Sequence, residues 1–373
     1  MKITHFCRIM TIGAIAGLAL ASINLTSCAS TAKTASAAES VKLVSVSGKI
    51  TGIEKYGHCN TDVEVKTLLE SGYDLGDVLT VSYDNGYTFK APLVGGYDVK
   101  RGEKLVRTEY GNGYIAFCIN YGKMNAEAGV DIGSTFTISL AEKAGYLAQY
   151  KVHNLKRTDE RSDYDSDEIF ANYRPVVAGK LYRGSHPAKS GWTRAPYVTR
   201  LMLKDGIQTI IDMADSQKEF DSYQSGENAS ACMKQCYENG NVALLSMKMD
   251  FTSQEFADGI VKAVRFVNSH PAPYYVHCNE GKDRTGFFFI FAESLLGWSE
   301  QAIADDYMQT YRNYYHLQPG DETYAIVLDE NGKQIMNFLK GEEKTIKAGT
   351  RKWAVSAGLT EAEIDSFVSR IGK

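Results

Sequence analysis

Short apolar runs separated by turn residues dominate the first part of the chain. Five of them predict strands, over residues 44–50, 78–83, 87–91, 114–119 and 136–140. The turn sequence Asp84-Asn85-Gly86 lies between two of these runs and is typical of a β-hairpin. Strands that follow one another without intervening helical periodicity predict a small all-β domain, a barrel or a sandwich, over residues 41–148.

The pattern changes after this region. Residues 149–170 are densely charged and show no apolar periodicity, which predicts a linker. Beyond it, strands (209–213, 242–245) alternate with helices (229–237, 255–267). Thr252 and Glu255 have the spacing of a capping box at the start of the last helix. This alternation predicts an α/β domain over residues 171–373, with a central, mostly parallel sheet flanked by helices.

The N-terminal residues have the pattern of an export signal. Lys2 and Arg8 precede an apolar stretch, residues 9–21, that is too short to span a membrane. The following Leu25-Thr26-Ser27-Cys28 resembles the lipobox of bacterial lipoproteins. We therefore expect a signal peptide over residues 1–27, a lipidated Cys28, a flexible tether over residues 28–40, and anchoring to the cell membrane or the outer membrane. The alternative is an ordinary cleaved signal peptide.

Composition and charge narrow the class of protein. A chain of 373 residues with 44% hydrophobic and 23% charged residues is globular and long enough for two domains. A formal net charge of −4 gives no basic surface for nucleic acid. Of the seven cysteines, Cys59 and Cys118 could form a disulfide, whereas Cys232 and Cys236 lie one helical turn apart and cannot bridge easily. The absence of a nearby histidine in the sequence makes a metal site at the latter pair a weak hypothesis.

The most informative segment runs from His277 to Gly286 and reads HCNEGKDRTG. It follows a short apolar strand, residues 274–276, and precedes an apolar run, residues 287–292, that predicts a buried helix. In a strand–loop–helix of this kind, backbone N–H groups and the helix dipole converge on one point and bind anions. Cys278 is then placed to ionise, and Arg284 is a planar donor for two phosphate oxygens. These residues predict a site for phosphate-ester hydrolysis.

This segment resembles the signature loop of the cysteine-based protein tyrosine phosphatases, most closely that of the bacterial tyrosine/phosphoinositide phosphatases and the myotubularin-like lipid phosphatases. The resemblance covers about the last 200 residues, including residues 178–185, 206–213 and 357–363. One departure is that the family strand often continues Asp-Leu-Arg, whereas this chain has Asp212-Met213-Ala214-Asp215. The resemblance implies a phosphoric monoester hydrolase. We expect no cofactor, and no metal, because nothing in the signature loop supplies metal ligands.

The expected mechanism assigns a role to each loop residue. Cys278 attacks phosphorus and forms a cysteinyl-phosphate that water hydrolyses. Arg284 binds the phosphate, Thr285 donates its hydroxyl to the departing sulfur, and His277 tunes the thiolate. The phosphate-binding set is Asn279, Glu280, Gly281, Lys282, Asp283 and Arg284.

Three carboxylates are candidates for the general acid. Asp250 is the first, because it precedes a predicted helix in a loop that could carry an acid to the substrate. Asp283 is the second, and it is the one that the myotubularin-like resemblance implies. Asp215, after the second strand, is the third. Each of these carboxylates could instead be a helix cap or a solvated loop residue.

Lys282 adds a second cation beside the phosphate and favours polyanionic substrates. The expected substrates are phosphotyrosine, phosphoinositides or both. One alternative is a phytase-like inositol polyphosphate phosphatase, and another is a non-enzymatic phosphate-binding surface protein. The N-terminal β-domain is similar to the C-terminal domain of adenosylmethionine hydroxide adenosyltransferases over residues 55–61, 97–103 and 113–122. We interpret it as a binding or oligomerisation module, because the larger domain of that family is missing.

Overall fold

The computed structural model describes residues 44–109 and 111–372. The predicted signal peptide, the lipidation site Cys28 and the tether lie outside the described residues. Within the described part of the chain, no helix has the length and the apolar character that crossing a membrane requires.

Seven strands in the N-terminal region form a closed barrel, in the order β1-β2-β6-β5-β4-β3-β7. Alternate residues of each strand point inward, and the interior is filled by aromatic side chains around Phe117, whose ring meets Phe136 edge-on at 4.7 Å. The predicted hairpin is present, because β3 and β4 pair antiparallel on either side of Asp84-Asn85-Gly86. The elements are β1 (Val46–Ile53), β2 (Cys59–Glu64), α1 (Val65–Glu70), β3 (Val78–Tyr83), β4 (Thr88–Val94), β5 (Lys104–Arg107), β6 (Tyr114–Ile119), α2 (Met124–Ala128) and β7 (Thr135–Glu142).

The suggested disulfide between Cys59 and Cys118 is wrong. Both thiols are free and buried. Cys59 lies opposite Phe117 in the pairing of β2 with β6. Because successive side chains of a strand point to opposite faces, Cys118 points away from the barrel core that contains Cys59.

The segment expected to be a charged linker is folded. It contains α3 (Leu147–His153), a 3₁₀ turn at Arg161–Asp163 and α4 (Asp167–Phe170). Its charged groups pair within the protein: Arg161 lies 2.7 Å from Asp167, and Arg157 lies 2.6 Å from Glu280. Arg194, which is 1% exposed, donates hydrogen bonds to the carbonyls of Thr158 and Phe170. A charged sequence without periodicity can therefore be ordered by long-range ion pairs.

The C-terminal region contains a five-stranded sheet in the order β11-β10-β12-β9-β8. Strands β9 to β12 pair in parallel, and β8 joins one edge antiparallel. In this register Gly184, His277 and Asp212 lie side by side at the carboxyl ends of three neighbouring strands. Ligands of parallel sheets bind beyond this edge. The strands are β8 (Arg174–Val177), β9 (Leu181–Gly184), β10 (Thr209–Asp212), β11 (Val242–Leu244) and β12 (Tyr274–His277).

Helices pack against this sheet, and one of them, α9, runs through the main hydrophobic core. Its residues 287–291 are all buried, as the apolar run predicted. The other long helix near the site, α8, begins at Gln254, one residue before the predicted start, and its N-cap lies one residue after the predicted Thr252. Ser253 is its N-cap and accepts a hydrogen bond from the N–H of Phe256, so the capping box predicted at Thr252 and Glu255 is wrong. The helices are α5 (Ala195–Lys204), α6 (Gln217–Tyr223), α7 (Ala231–Glu238), α8 (Gln254–Ser269), α9 (Asp283–Leu296), α10 (Glu300–Tyr315), α11 (Glu322–Val327), α12 (Lys333–Lys340), α13 (Ile346–Ser356) and α14 (Glu361–Ile371).

Candidate functional site

The loop from Cys278 to Arg284 connects β12 to α9 at the carboxyl edge of the sheet. Cys278 is the first residue after the strand and is 3% exposed. Arg284 and Thr285 belong to the first turn of α9, with Lys282 as its N-cap. The structure therefore brings the nucleophile candidate, the arginine and the helix N-terminus into one short loop.

Three consecutive backbone carbonyls of this loop accept hydrogen bonds from residues outside the loop. The carbonyl of Asn279 accepts from the N–H of His186 at 3.0 Å. That of Glu280 accepts from the hydroxyl of Tyr314 at 2.7 Å, and that of Gly281 accepts from Nη2 of Arg183 at 3.0 Å. In a trans peptide the following N–H points the opposite way. The amides of residues 280–282 are thereby turned toward the inside of the loop, where they can bind an anion.

Gly281 is required by this geometry. Its φ is +66°, and a Cβ at this position would lie 2.1 Å from the carbonyl oxygen of Gly184. Any other residue would have to move the loop away from β9.

Arg284 is anchored on one side only. Its Nη1 donates to the carbonyls of Met247, at 2.8 Å, and Met213, at 3.3 Å. Within the described residues, Nε of Arg284 and Oγ1 of Thr285 are buried and have no hydrogen-bond partner. Unpaired buried donors next to inward-facing amides can donate hydrogen bonds to an anion. The arrangement is suited to holding a tetrahedral oxyanion such as phosphate.

His277 is fully buried beneath the loop. Its Nδ1 donates to the carbonyl of Cys278 at 3.2 Å. Burial, together with the nearby His186, lowers the pKa of His277 to about 3, so the ring is neutral. The neutral ring fixes the backbone of Cys278 without adding a positive charge.

A buried pair, His186 and Asp215, lies beside His277. His186 accepts from the N–H of Ala188 through Nδ1, so Nε2 carries the proton and donates to Asp215 at 2.7 Å. Burial alone would raise the pKa of Asp215, but the hydrogen bond and the charge interaction with His186, together with smaller contributions from His277 and Asp212, outweigh burial and lower that pKa. Asp215, the third acid candidate, is therefore an ionised partner of His186. An ionised carboxylate is not suited to donating a proton to the leaving group. Burial and the charge of Asp215 raise the pKa of Asp212 well above its ordinary value.

The same region contains a possible metal-ligand group. One atom each of His186, Asp212 and His277 lie within 4.8 Å of one another, and all three residues are buried. In the described part of the chain, Oδ2 of Asp212 and Nε2 of His277, 3.8 Å apart, have no hydrogen-bond partner. Both nitrogens of His186 are already engaged, so an ion here would displace Asp215 from it. The expectation that activity needs no metal remains a prediction.

The first acid candidate, Asp250, is exposed. Its carboxylate accepts hydrogen bonds from the N–H and the hydroxyl of Thr252, at 3.1 and 2.6 Å. These hydrogen bonds lower the pKa of Asp250, so its carboxyl group is ionised in this conformation. Acting as an acid would require the loop to move.

The second candidate, Asp283, lies in the loop and is half-buried. Burial raises the pKa of Asp283, although Lys282 and Arg284 oppose the shift. Lys282 itself pairs with Glu280 at 3.1 Å. Asp283 therefore combines position in the loop with a pKa shift in the direction that a proton donor needs.

Several residues of this environment could not be assigned from the sequence. Arg183 is 1% exposed and lies beneath the loop, paired with Asp306 at 2.5 Å. Lys248 is exposed and pairs with Glu255 at 3.1 Å. Arg157 and Tyr314 gave no sequence signal, because their contacts with the loop join residues far apart in the chain.

Comparison with known proteins identifies the class. Residues 170–362, more than half of the chain, match the tyrosine phosphatase family. The chain belongs to this family and is a tyrosine phosphatase-like hydrolase. The match begins after the barrel, whose likeness to the adenosyltransferase domain stays a prediction. No match was found among curated proteins.

Three solved structures are similar to parts of the chain. The core catalytic domain of the PP-IP phosphatase SIW14 from S. cerevisiae, in complex with citrate, is 19% identical with a TM-score of 0.28, covering 43% of this chain and 92% of that one. TpbA from P. aeruginosa, in complex with pTyr, is 14% identical with a TM-score of 0.28, covering 46% and 98%. An uncharacterized conserved protein from Thermotoga maritima is 25% identical with a TM-score of 0.24, and covers 25% of this chain. The chain spans about a third, 35%, of that protein.

Proposed function

We propose that this chain is a cysteine-dependent phosphatase that hydrolyses phosphate monoesters, phosphotyrosine or phosphoinositides or both, through a cysteinyl-phosphate. Membership of the tyrosine phosphatase family supports the reaction class. The observation that carries the proposal is the loop itself: the carbonyls of Asn279, Glu280 and Gly281 are bound from outside. The amides of the loop and Nε of Arg284, which has no partner among the described residues, can then donate hydrogen bonds to a phosphate.

The reaction has two steps. In the first, the thiolate of Cys278 attacks phosphorus, an S–P bond forms, the P–O bond to the leaving group breaks, and a general acid protonates the leaving oxygen. In the second, water attacks the cysteinyl-phosphate and gives a proton to the deprotonated general acid, the S–P bond breaks, and inorganic phosphate leaves with the thiolate and the acid restored. Arg284 and the loop amides bind the phosphate oxygens throughout, and they favour the more highly charged transition state.

Two buried groups support the sulfur. The hydroxyl of Thr285, unpaired among the described residues, can donate to the sulfur as the S–P bond breaks. His277 is neutral and donates to the carbonyl of Cys278, which holds the backbone of the nucleophile in place. In this role His277 is a positioning residue.

We assign the general acid to Asp283, with Asp250 as the alternative. A proton donor must hold its proton near neutral pH, and burial shifts the pKa of Asp283 upward, as this role requires. The pKa of Asp250 is shifted downward by its hydrogen bonds from Thr252. Asp250 would serve only if its loop released those hydrogen bonds on substrate binding.

The alternative function is a phytase-like inositol polyphosphate phosphatase on the same site. Cations around the loop favour it: Lys282 lies in the loop, and Nζ of Lys189 donates to Oδ1 of Asn279 at 2.9 Å. Several phosphates on one ring could contact these groups together.

A phosphate-release panel tests these proposals. It comprises phosphotyrosine and phosphoserine peptides, phosphoinositides and inositol hexakisphosphate, each with wild-type protein and Cys278→Ser. The proposal expects release from phosphotyrosine or phosphoinositide that Cys278→Ser abolishes. Release only from inositol hexakisphosphate would favour the alternative, and no cysteine-dependent release from any ester would contradict both.

Export and lipid anchoring are also proposed, on the sequence of residues 2–28 alone. Labelling of cells with a fatty acid analogue tests this. Label on the wild-type protein but not on Cys28→Ser is expected, and an unlabelled wild-type protein would contradict the anchor.

A further inference from the structure

Arg157 contacts the signature loop from outside the region that matches the family. It lies between α3 and the 3₁₀ turn, 13 residues before the family match begins at residue 170. Its Nη1 lies 2.6 Å from Oε1 of Glu280. The guanidinium also lies over the rings of Trp192, at 5.8 Å, and Tyr314, at 5.0 Å. The hydroxyl of Tyr314 donates a hydrogen bond to the carbonyl of Glu280, so Tyr314 contacts both Arg157 and the loop.

Glu280 bridges two cations. Its second oxygen, Oε2, lies 3.1 Å from Nζ of Lys282. The side chains of Arg157, Glu280 and Lys282 are 17%, 24% and 19% exposed, so the three charges interact with little screening by solvent. Burial alone would raise the pKa of Glu280, but Lys282 and Arg157 outweigh it and lower that pKa. These three side chains carry one net positive charge together, and Nε of Arg157 also lies 3.5 Å from the exposed carboxylate of Asp159.

A cavity adjoins this cluster. Its volume is about 660 Å³, and it is lined by Lys282 and Asp283 of the loop, by His153 and Leu155 of the segment that carries Arg157, and by Tyr311 and Tyr315 of α10. This volume is in the range of small-molecule binding sites. Of the three cluster residues, Lys282 lines this cavity, so a ring held with one phosphate in the loop could extend past Lys282 into this space.

We propose that Arg157 and Lys282 bind a second phosphate group of the substrate, and that Glu280 occupies this position in the free enzyme. The inference rests on the proposed phosphatase function and adds a specificity-determining residue to it. A carboxylate between two cations has the charge pattern of a bound phosphate, and a phosphate carries more negative charge at pH 7. A polyphosphorylated ring therefore displaces the Glu280 carboxylate. With a monophosphorylated substrate, Glu280 stays paired with Arg157 and Lys282.

The substrate chemistry is a ring with at least two phosphates. Such a ring occurs as a soluble inositol polyphosphate and as a phosphoinositide headgroup. The two sources are separated by assaying the soluble inositol phosphate and a vesicle of phosphatidylcholine containing the phosphoinositide.

The test is the ratio of kcat/KM for a polyphosphorylated inositol to kcat/KM for p-nitrophenyl phosphate. Arg157→Gln removes one charged hydrogen-bond donor and is expected to lower this ratio by about 10- to 100-fold, through KM. Glu280→Gln removes the competing carboxylate and is expected to raise the ratio several-fold, by lowering KM for the polyphosphate. Opposite changes in these two variants are not expected from a loss of folding.

Arg161→Gln is the matched control, because Arg161 lies in the same segment and pairs with Asp167. Its ratio is expected to equal that of wild type, and thermal unfolding checks that all variants are folded. An unchanged ratio in Arg157→Gln, or a loss of equal size on both substrates, would overturn the inference while leaving the phosphatase intact. Loss of the proposed function itself would appear instead as wild-type turnover that Cys278→Ser does not abolish.

Discussion

Arg183 donates a hydrogen bond of 3.0 Å to the backbone carbonyl of Gly281, from a position beneath the loop where it is 1% exposed. Its other terminal nitrogen pairs with Asp306, which also accepts from Arg174. Burial lowers the pKa of Arg183, and the charge of Asp306 opposes that shift. A buried charge is therefore used to orient one peptide group of the loop, which turns the next amide toward the anion site.

Replacing Arg183 should reduce activity by more than the accompanying loss of folding stability explains. Arg183→Met leaves the carbonyl of Gly281 without its donor and should destabilise the fold by about 1.5–3 kcal/mol, the scale of a hydrogen bond from a charged group. Arg174→Met is the control, because Arg174 shares Asp306 but donates to Asn172 instead of the loop. Chemical unfolding should show similar losses of stability in the two variants. The loss of kcat/KM should be larger for Arg183→Met than for Arg174→Met. Equal kinetic losses in the two variants would contradict the role.

Binding and turnover should separate at Cys278 but not at Arg284. Arg284→Lys should lose both, because an ammonium group cannot reproduce the planar donor that contacts Met247 on one side and phosphate on the other. Cys278→Ser should lose turnover and keep phosphate-ester binding. Calorimetry with a non-hydrolysed phosphonate measures binding in both variants. Full affinity in Arg284→Lys would contradict the assignment of Arg284.

The two acid candidates differ in their dependence on the leaving group. If Asp283 protonates the leaving oxygen, Asp283→Asn should slow turnover by about 10²–10⁴-fold on a poor leaving group. The loss should be much smaller with p-nitrophenyl phosphate, whose leaving group needs little protonation. Asp250→Asn should show no such dependence.

The same assignment fixes the pH profile. The acid works in its protonated form, and a raised pKa keeps Asp283 protonated to higher pH than an ordinary aspartate. Turnover on the poor leaving group should fall as pH rises through that pKa, and this decline should be missing in Asp283→Asn. A leaving-group dependence in Asp250→Asn and not in Asp283→Asn would return the role to Asp250.

Metal removal should not affect turnover. The groups assigned to the phosphate are amides, Arg284 and the thiol, and the possible ligand group at His186, Asp212 and His277 is buried beneath the loop. Dialysis against a chelator should leave the rate unchanged, while vanadate, a phosphate mimic, should inhibit. Activity that is lost with the chelator and restored by a divalent ion would contradict the cysteine mechanism.

Contiguous features of this protein were predictable from its sequence. The signature loop is one, because its residues and the flanking strand and helix lie within about twenty positions. The barrel strands are another, because alternation of apolar residues shows directly in the sequence. The predicted N-cap differs by one residue from the observed Ser253, because Thr252 and Ser253 are both good caps and only the structure shows which one accepts a hydrogen bond from the helix.

Long-range contacts were not predictable. Arg157 lies 123 positions from Glu280, and Arg183 lies 98 positions from Gly281. A charged segment such as residues 149–170 has the same composition whether it is solvated or ion-paired. The pairing of β2 with β6 likewise decides that Cys59 and Cys118 point to opposite faces, and no spacing in the sequence reveals this register.

Detection of the phosphoenzyme tests the central claim most directly. Wild-type protein is mixed with substrate, quenched within the first turnover, digested and analysed by mass spectrometry, with Cys278→Ser treated in parallel. The account predicts a phosphate on the peptide that contains Cys278, absent from the variant, and no turnover by the variant. Turnover by Cys278→Ser, or a phosphate carried by a different residue, would contradict it.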